Sequence, residues 1–345
     1  MPEDAIDYID FDDLNKRAIS QPLIKHIYTA DPSAHVFNGK IYIYPSHDIN
    51  AGDAFDDLGS HFAMEDYHII SMDFLSGEAV DNGVALHVND VPWAEKQMWA
   101  PDAAEKDGRY YLFFPAKGYD GIFRIGVAIS NSPIGPFIPQ PEAIKNSFSI
   151  DPAVFKDDND SYYMYFGGIW GGQLQRWRTG SFKAEQPESP FAFLPADDEP
   201  ALTAKVAKLT NDLLEFDEEP KDVVILDENG NLLLQDDNER RFFEASWLHK
   251  YNGKYYFSYS TGDTRFLCYA IGDNPYGPFI YGGRILNPVV GWTSHHSICE
   301  FEGKWYLFYH DSSLSKGVTH LRSIKVTELH HDADGKIMTI DPYKS

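Results

Sequence analysis

The chain has 345 residues, and its 53 acidic against 29 basic side chains give a formal charge of −24. So acidic a chain lacks the basic face that nucleic acid requires, and anionic lipid repels it. Its 43 % apolar and 15 % aromatic content can bury a large core, which excludes disordered and collagen-like chains, and two cysteines, Cys268 and Cys299, cannot build a disulfide framework.

The N-terminus, MPEDAIDYIDFDDLNKR, begins with acids and carries no apolar run, so it predicts no secretory leader. No stretch of about 18 apolar residues follows anywhere, so no membrane helix is expected. The expected location is the cytoplasm. Residues 1–27 read as an acidic N-terminal segment and 28–345 as one domain.

From there one pattern recurs: a polar lead, a short apolar strand, a turn dipeptide and an aromatic strand. Its copies are DPSAHVFNGKIYIYPSHD from Asp31, APDAAEKDGRYYLFFPAK from Ala100, DPAVFKDDNDSYYMYFGG from Asp151, EASWLHKYNGKYYFSYST from Glu244 and HHSICEFEGKWYLFYHD from His295. The expected turns are Asn38-Gly39, Asp107-Gly108, Asn159-Asp160, Asn252-Gly253 and Glu302-Gly303. Asn-Gly and Asp-Gly supply the positive φ that two-residue hairpins need. A second repeat, NSPIGPF from Asn131 and DNPYGPF from Asp273, reads as a tight corner late in the unit. The acidic stretch 197–222 has weak strand character, and part of it is expected to add a loop and short helix to a blade. Five multi-stranded units predict an all-β fold, a single-domain five-bladed β-propeller; a β-sandwich would show no five-fold repeat.

The first strand of each blade lines a propeller's channel. Asp31, the Trp99–Asp102 segment, Asp151, Glu244 and His295 are therefore expected to converge there. Acids at strand starts also cap turns, and Asp-Pro is a common turn starter, but three at one phase of a repeat favour a site. Crowded carboxylates cannot all ionise, so one becomes a usable acid near neutrality. An acid and an ionised base about 6.5–9.5 Å apart suit inverting glycoside hydrolysis. Glu244, between Phe242-Phe243 and Trp247, is the candidate acid, and Asp31, in a less apolar setting, the candidate base.

These segments, with SIDPAVFKDD and TSHHSICEFEGKWYLFYH, make the chain resemble glycoside hydrolase family 43 from about Tyr28 to Leu329. The resemblance implies a five-bladed inverting glycosidase with Asp31 as base, Asp151 as the aspartate that tunes and orients the acid, and Glu244 as the acid. ADPSAHVFNGKIYIYPSHD and HFAMEDYHIISMD look like the intracellular β-xylosidase and α-L-arabinofuranosidase group. Relatives often carry a further β-sandwich domain, which is not expected here.

The resemblance also implies a divalent cation, commonly calcium, in the channel, placing its ligand on His295. Calcium prefers oxygen ligands, so sodium, an empty channel or a simply hydrogen-bonded histidine stay open. Trp99, Arg322 and His296 are expected to touch the sugar, with packing between blades the plainer reading for Trp99 and a surface strand for Arg322. Arg322 could equally hold a catalytic carboxylate ionised. Trp170, Trp247 and Trp292 have weaker claims. Asp53, Asp56 and Asp57 read as a solvated loop, and His35, His47, His61 and His68 have no assigned role. No phosphate-loop, dinucleotide, zinc-protease or serine-hydrolase motif occurs. The expected function is exo-acting removal of terminal β-D-xylosyl residues from neutral xylo-oligosaccharides, with α-L-arabinofuranosyl groups also accepted. Long insertions around 50–65 and 200–222 would close one end of the channel. The alternatives are a dedicated α-L-arabinofuranosidase and a non-catalytic carbohydrate-binding propeller, which would need no acid trio.

Overall fold

The computed structural model describes residues 9–185, 189 and 191–344, so the first eight residues of the acidic segment lie outside it. Five sheets form a five-bladed β-propeller. Blade one is β1 (Tyr28–Phe37), β2 (Lys40–Asp48), β3 (Asp66–Met72) and β4 (Val80–His87). Blade two holds β5 (Ala94–Lys96), β6 (Asp102–Lys106), β7 (Arg109–Gly118), β8 (Phe123–Ser130) and β9 (Ile138–Pro139), with β5 and β6 both paired to β7. Blade three is β10 (Ala153–Lys156), β11 (Tyr162–Phe166), β12 (Lys205–Lys208) and β13 (Lys221–Asp222). Blade four takes β14 (Ile225–Leu226), β15 (Glu244–Tyr251), β16 (Lys254–Ser260), β17 (Leu267–Gly272) and β18 (Phe279–Leu286). Blade five is β19 (His296–Phe301), β20 (Lys304–Asp311) and β21 (Ser323–Leu329). No described helix is long and apolar enough to cross a membrane.

Four of the five expected turns hold two positive-φ residues: Asn38-Gly39, Asp107-Gly108, Asn252-Gly253 and Glu302-Gly303. Blade three differs. The Asp157 amide bonds the Ser161 carbonyl at 2.9 Å, leaving a three-residue loop in which Asp160 alone is left-handed. Both proline-glycine corners bury their phenylalanine. The amide of Phe137 donates to Ala85 O at 2.9 Å, and that of Phe279 to Val224 O at 2.8 Å, so each corner ties an outer strand to the preceding segment.

The aromatic runs follow from a sheet covered on both faces. Successive side chains of a strand point to opposite faces. Along β7, Leu112 and Phe114 pack toward blade one, while Tyr111 and Phe113 pack toward blade three. The other gaps are filled alike: Tyr165 against Phe257, Trp247 against Leu307, and Ile43 against Phe308. Each such side chain contributes about 1.5–3 kcal/mol by leaving water.

The acidic stretch corrects the sequence reading. It supplies β12 and β13, the outer strands of blade three, joined by a loop at 209–220 as expected but with strands where the short helix was expected. The two strands are four and two residues long, too short for KVAK and KD to show a period-2 pattern. The N-terminal segment forms the short helix α1 (Phe11–Arg17), capped by Asp10, and then joins the ring. Leu23 N bonds Ile324 O at 2.8 Å beside β21, Ile19 N bonds Pro342 O at 3.0 Å, and Ile24 is buried between blades one and five.

At the hub, Asp102 at the start of β6 joins three blades. Its carboxylate meets His35 Nε2 of β1 at 2.6 Å and accepts the Val154 amide of β10 at 2.5 Å. Removing one partner of such a buried pair strands the others. Asp102→Ala is expected to cost about 3–5 kcal/mol in urea unfolding; a loss under about 1 kcal/mol would mean the blades hold without it.

Candidate active site

Asp31, Asp151 and Ala245 all have positive φ, of 49°, 57° and 63°. The β1–β2 register slips between Ala30 and Ser33, and the β15–β16 register between Glu244 and Trp247. Bulges of this kind re-aim a side chain at a strand end. A non-glycine residue in this region costs on the order of 1–3 kcal/mol, held by the packed blades around it. The Asp31, Asp151 and Glu244 carboxyls face one cavity of about 390 Å³ that also touches Trp99, His295 and Arg322, so all five blades contribute.

Asp31 is the most heavily supported of the three. Its Oδ1 accepts from Arg322 Nη1 at 2.9 Å, and its Oδ2 from the Ser46 hydroxyl at 2.7 Å. Its backbone amide donates to His310 Nδ1 at 3.0 Å. That assigns the His310 proton to Nε2, which lies 3.1 Å from the Thr293 carbonyl. Burial, with Arg322 nearby, drives the His310 imidazole down to about 3, so the ring is neutral. Burial alone would raise Asp31. The Arg322 guanidinium, with His310, His295 and Ser46, outweighs it and lowers the carboxyl to about 2.

Arg322 is in turn fixed by Asp48. Its Nε and Nη2 form a fork onto the two Asp48 oxygens, both at 2.8 Å, and its backbone amide adds a third bond at 2.9 Å. Nη1 reaches Thr293 Oγ1 at 3.1 Å. Arg322 thus lines the cavity and holds a carboxylate ionised, the second of its two expected roles.

Glu244 lies opposite in character. Its side chain keeps partial contact with the cavity, beside Phe243 and the Gly168 backbone. Burial, with the Asp31 and Asp263 charges, raises it to about 8 despite Arg322. Burial and the neighbouring Glu244 and Asp31 charges also raise Asp151. Asp151 Oδ2 accepts the Ala245 amide at 2.8 Å, which favours its ionised form. The pair therefore holds one proton near neutrality, with Glu244 its carrier.

His295 sits between the acids, its Nδ1 3.6 Å from Asp31 and 3.9 Å from Asp151, and burial lowers it to about 4. His296 corrects the sequence reading. Adjacent strand residues face opposite ways, so with His295 in the channel His296 turns into the wall, fully buried, its Nε2 2.6 Å from Ser258 Oγ. It does not line the cavity.

Trp99 lines the cavity while its indole N–H donates to Phe62 O at 2.8 Å, and Trp170 and Trp292 join it in the wall. Trp247 instead packs between blades four and five. The 50–65 stretch walls the cavity through Asp57, Leu58, Gly59, His61 and Phe62; 200–222 does not reach it. Asp56 caps its own loop by accepting the Leu58 and Ser60 amides. His61 is buried at this wall with both ring nitrogens unpartnered, and burial, with His320, lowers it to about 4.

Ser46, Asp48, His310, Thr293 and His61 went unnamed as site residues in the sequence reading. The first two had a signal: on β2 opposite Asp31, alternation puts both on one face, away from His47. The others come from chain positions with no local mark.

The profile of the family described as Glycosyl hydrolases family 43 matches residues 24–337. A xylosidase/arabinosidase 43A of Humicola insolens is 61 % identical, covering 93 % of this chain and 99 % of its own. A β-xylosidase of Xylanibacter ruminicola is 56 % identical over 91 % and 97 %. Among solved structures, a β-xylosidase/α-arabinofuranosidase from a compost microbial metagenome, bound to xylotriose in a calcium-free form, superposes with a TM-score of 0.92 at 64 % identity, covering 94 % and 98 %. The GH43_1 enzyme of Xanthomonas citri, also with xylotriose, gives 0.90 at 54 % identity over 97 % of each chain. Profile, relatives and five-bladed architecture agree: the chain belongs to glycosyl hydrolase family 43 and is a glycoside hydrolase.

Proposed function

We propose that this enzyme removes terminal β-D-xylosyl units from short xylo-oligosaccharides with inversion, and accepts α-L-arabinofuranosyl units in the same pocket. The observation that carries the reading is one cavity lined by two carboxyls in opposite settings, Asp31 bonded to Arg322 and Ser46 and Glu244 beside Phe243 without such a bond. Relatives named xylosidase/arabinosidase at 59–61 % identity, and a β-xylosidase at 56 %, support the substrate class.

In this reading Glu244 gives its proton to the glycosidic oxygen as the bond breaks. Asp31 takes a proton from the water that attacks the other face of the sugar. A carboxyl lowered to about 2 is a weak base toward bulk water. It suffices when the water is adding to an oxocarbenium-like carbon, where its proton becomes acidic. Asp151 orients Glu244 and keeps its proton in place through the shared charge. Trp99 and the 50–65 wall seat the terminal sugar, which suits exo action.

His295 fits a largely hydrated cation: its imidazole has no strong hydrogen-bond partner and faces two carboxylates. Such a cation would supply positive charge that helps keep Asp31 and Asp151 ionised. Chelator treatment is then expected to lower activity and calcium to restore it, with His295→Gln losing the response; an unchanged rate after chelation would remove the cation from the reading.

Leaving groups separate the two carboxyls. Glu244→Ala is expected to lose about 10²–10⁴-fold in kcat on xylobiose and much less on a nitrophenyl xyloside, whose leaving group needs little protonation. Asp31→Ala loses a similar factor on both. Near-full turnover of xylobiose by either variant would overturn the mechanism.

The pH profile follows from the same states. Glu244 must be protonated, so kcat/KM of the free enzyme should fall as pH rises through about 8. Asp31 stays ionised down to about 2, so it imposes no acid limb near neutrality. An alkaline limb near pH 4–5, the ordinary carboxylate range, would contradict the assignment of Glu244.

A further inference from the structure

Away from the cavity, blade one carries a cluster that the glycosidase chemistry does not use. His47 of β2 and Asp66 and His68 of β3 each offer a ligand atom within 4.8 Å of the others, and among the described residues this is the one such group. The two imidazoles are 4.5 Å apart at their centroids, and His47 Nδ1 lies 2.5 Å from Asp66 Oδ1. All three side chains are 13–16 % exposed, so a small ion can reach them without unfolding the blade.

The surroundings are those of a built metal site. Histidine ligands almost always give their second ring N–H to a carboxylate, which fixes ring and tautomer. His68 does this: its Nδ1 is 2.9 Å from Asp81 Oδ1, leaving Nε2 with its lone pair. Asp81 is held by the Gly83 amide at 2.8 Å and by His26 Nε2 at 2.9 Å. Thr29, the register partner of His47 across β1 and β2, has a buried hydroxyl with no hydrogen-bond partner. Cross-strand partners share a face, which puts a free polar group beside the cluster.

We propose that His47, Asp66 and His68 form a site for a divalent transition-metal ion of the zinc class, with Asp81 as the carboxylate that orients His68. Two imidazoles and one carboxylate suit zinc with water in the fourth position, and do not suit calcium, which takes six to eight oxygens. The site sits behind the catalytic base: His47 lies between Ser46, which donates to Asp31, and Asp48, which grips Arg322. An ion that fixes His47 therefore stiffens the strand carrying both supports, and binding the folded state alone raises its thermal midpoint.

The test uses the full, tag-free chain stripped with chelator and titrated with zinc ion alone, by calorimetry, and with cobalt(II), by visible absorption. One zinc per chain, with a tetrahedral cobalt spectrum, is expected. His68→Ala and His47→Ala should each weaken it at least 100-fold. Asp81→Asn, which keeps all three ligands, should weaken it about 10–100-fold. Basal xyloside turnover of zinc-free His68→Ala should match that of the zinc-free parent. Zinc binding of equal strength in the parent and both alanine variants, or no binding by the parent, would overturn the site and leave a plain hydrogen-bond network. None of these readouts depends on the substrate assignment above.

Discussion

One buried arginine organises this molecule. Arg322, on the turn into the last blade's outer strand, grips Asp48 with a two-pronged fork and Asp31 with its remaining arm. Both acids belong to the first blade, so the contact closes the ring and prepares the site in one stroke. A buried guanidinium is tolerable only when its donors are matched, and here four bonds to Asp48, Asp31 and Thr293 match them. The consequence is chemical. Asp31 loses the option of protonation, although its burial alone would favour it.

The other half of the site follows from where Arg322 does not bond. Glu244 stands in the same cavity, meets apolar neighbours and the Asp31 charge, and keeps its proton. Two carboxyls of the same chemistry thus take opposite states because one is hydrogen-bonded to a cation and a hydroxyl and the other is not. The positive-φ residues at Asp31, Asp151 and Ala245 are the backbone's share of this arrangement. They store strain that only five mutually packed blades can sustain, which ties the catalytic geometry to the aromatic core between the sheets.

How much of this could be read from sequence depended on whether the signal was local. Hairpin turns are local: Asn38-Gly39 and Asn252-Gly253 need nothing beyond their own φ preferences, and they fell where expected. The repeat phase then put Asp31, Asp151, Glu244 and His295 on one channel. Short strands escaped because two to four residues carry too little alternation, as at Lys205–Lys208 and Lys221–Asp222. So did the ring closure by residues 19–24, whose partners lie some 300 positions away. His296 was misplaced for a simple reason: within a strand only one of two adjacent histidines can face the channel. Ser46 and Asp48 were within reach of the alternation rule, whereas His310 and Thr293 became visible only once the chain had folded.

Everything in this site turns on Asp31 and Glu244 carrying opposite protonation in one pocket at neutral pH. The direct measurement is an infrared titration of the carboxyl bands, assigned by difference against Asp31→Asn and Glu244→Gln. The Glu244 band is expected to stay protonated until about pH 8, with the Asp31 band already ionised at about pH 4. A Glu244 band that ionises near pH 4.5, or an Asp31 band still protonated at pH 6, would contradict it.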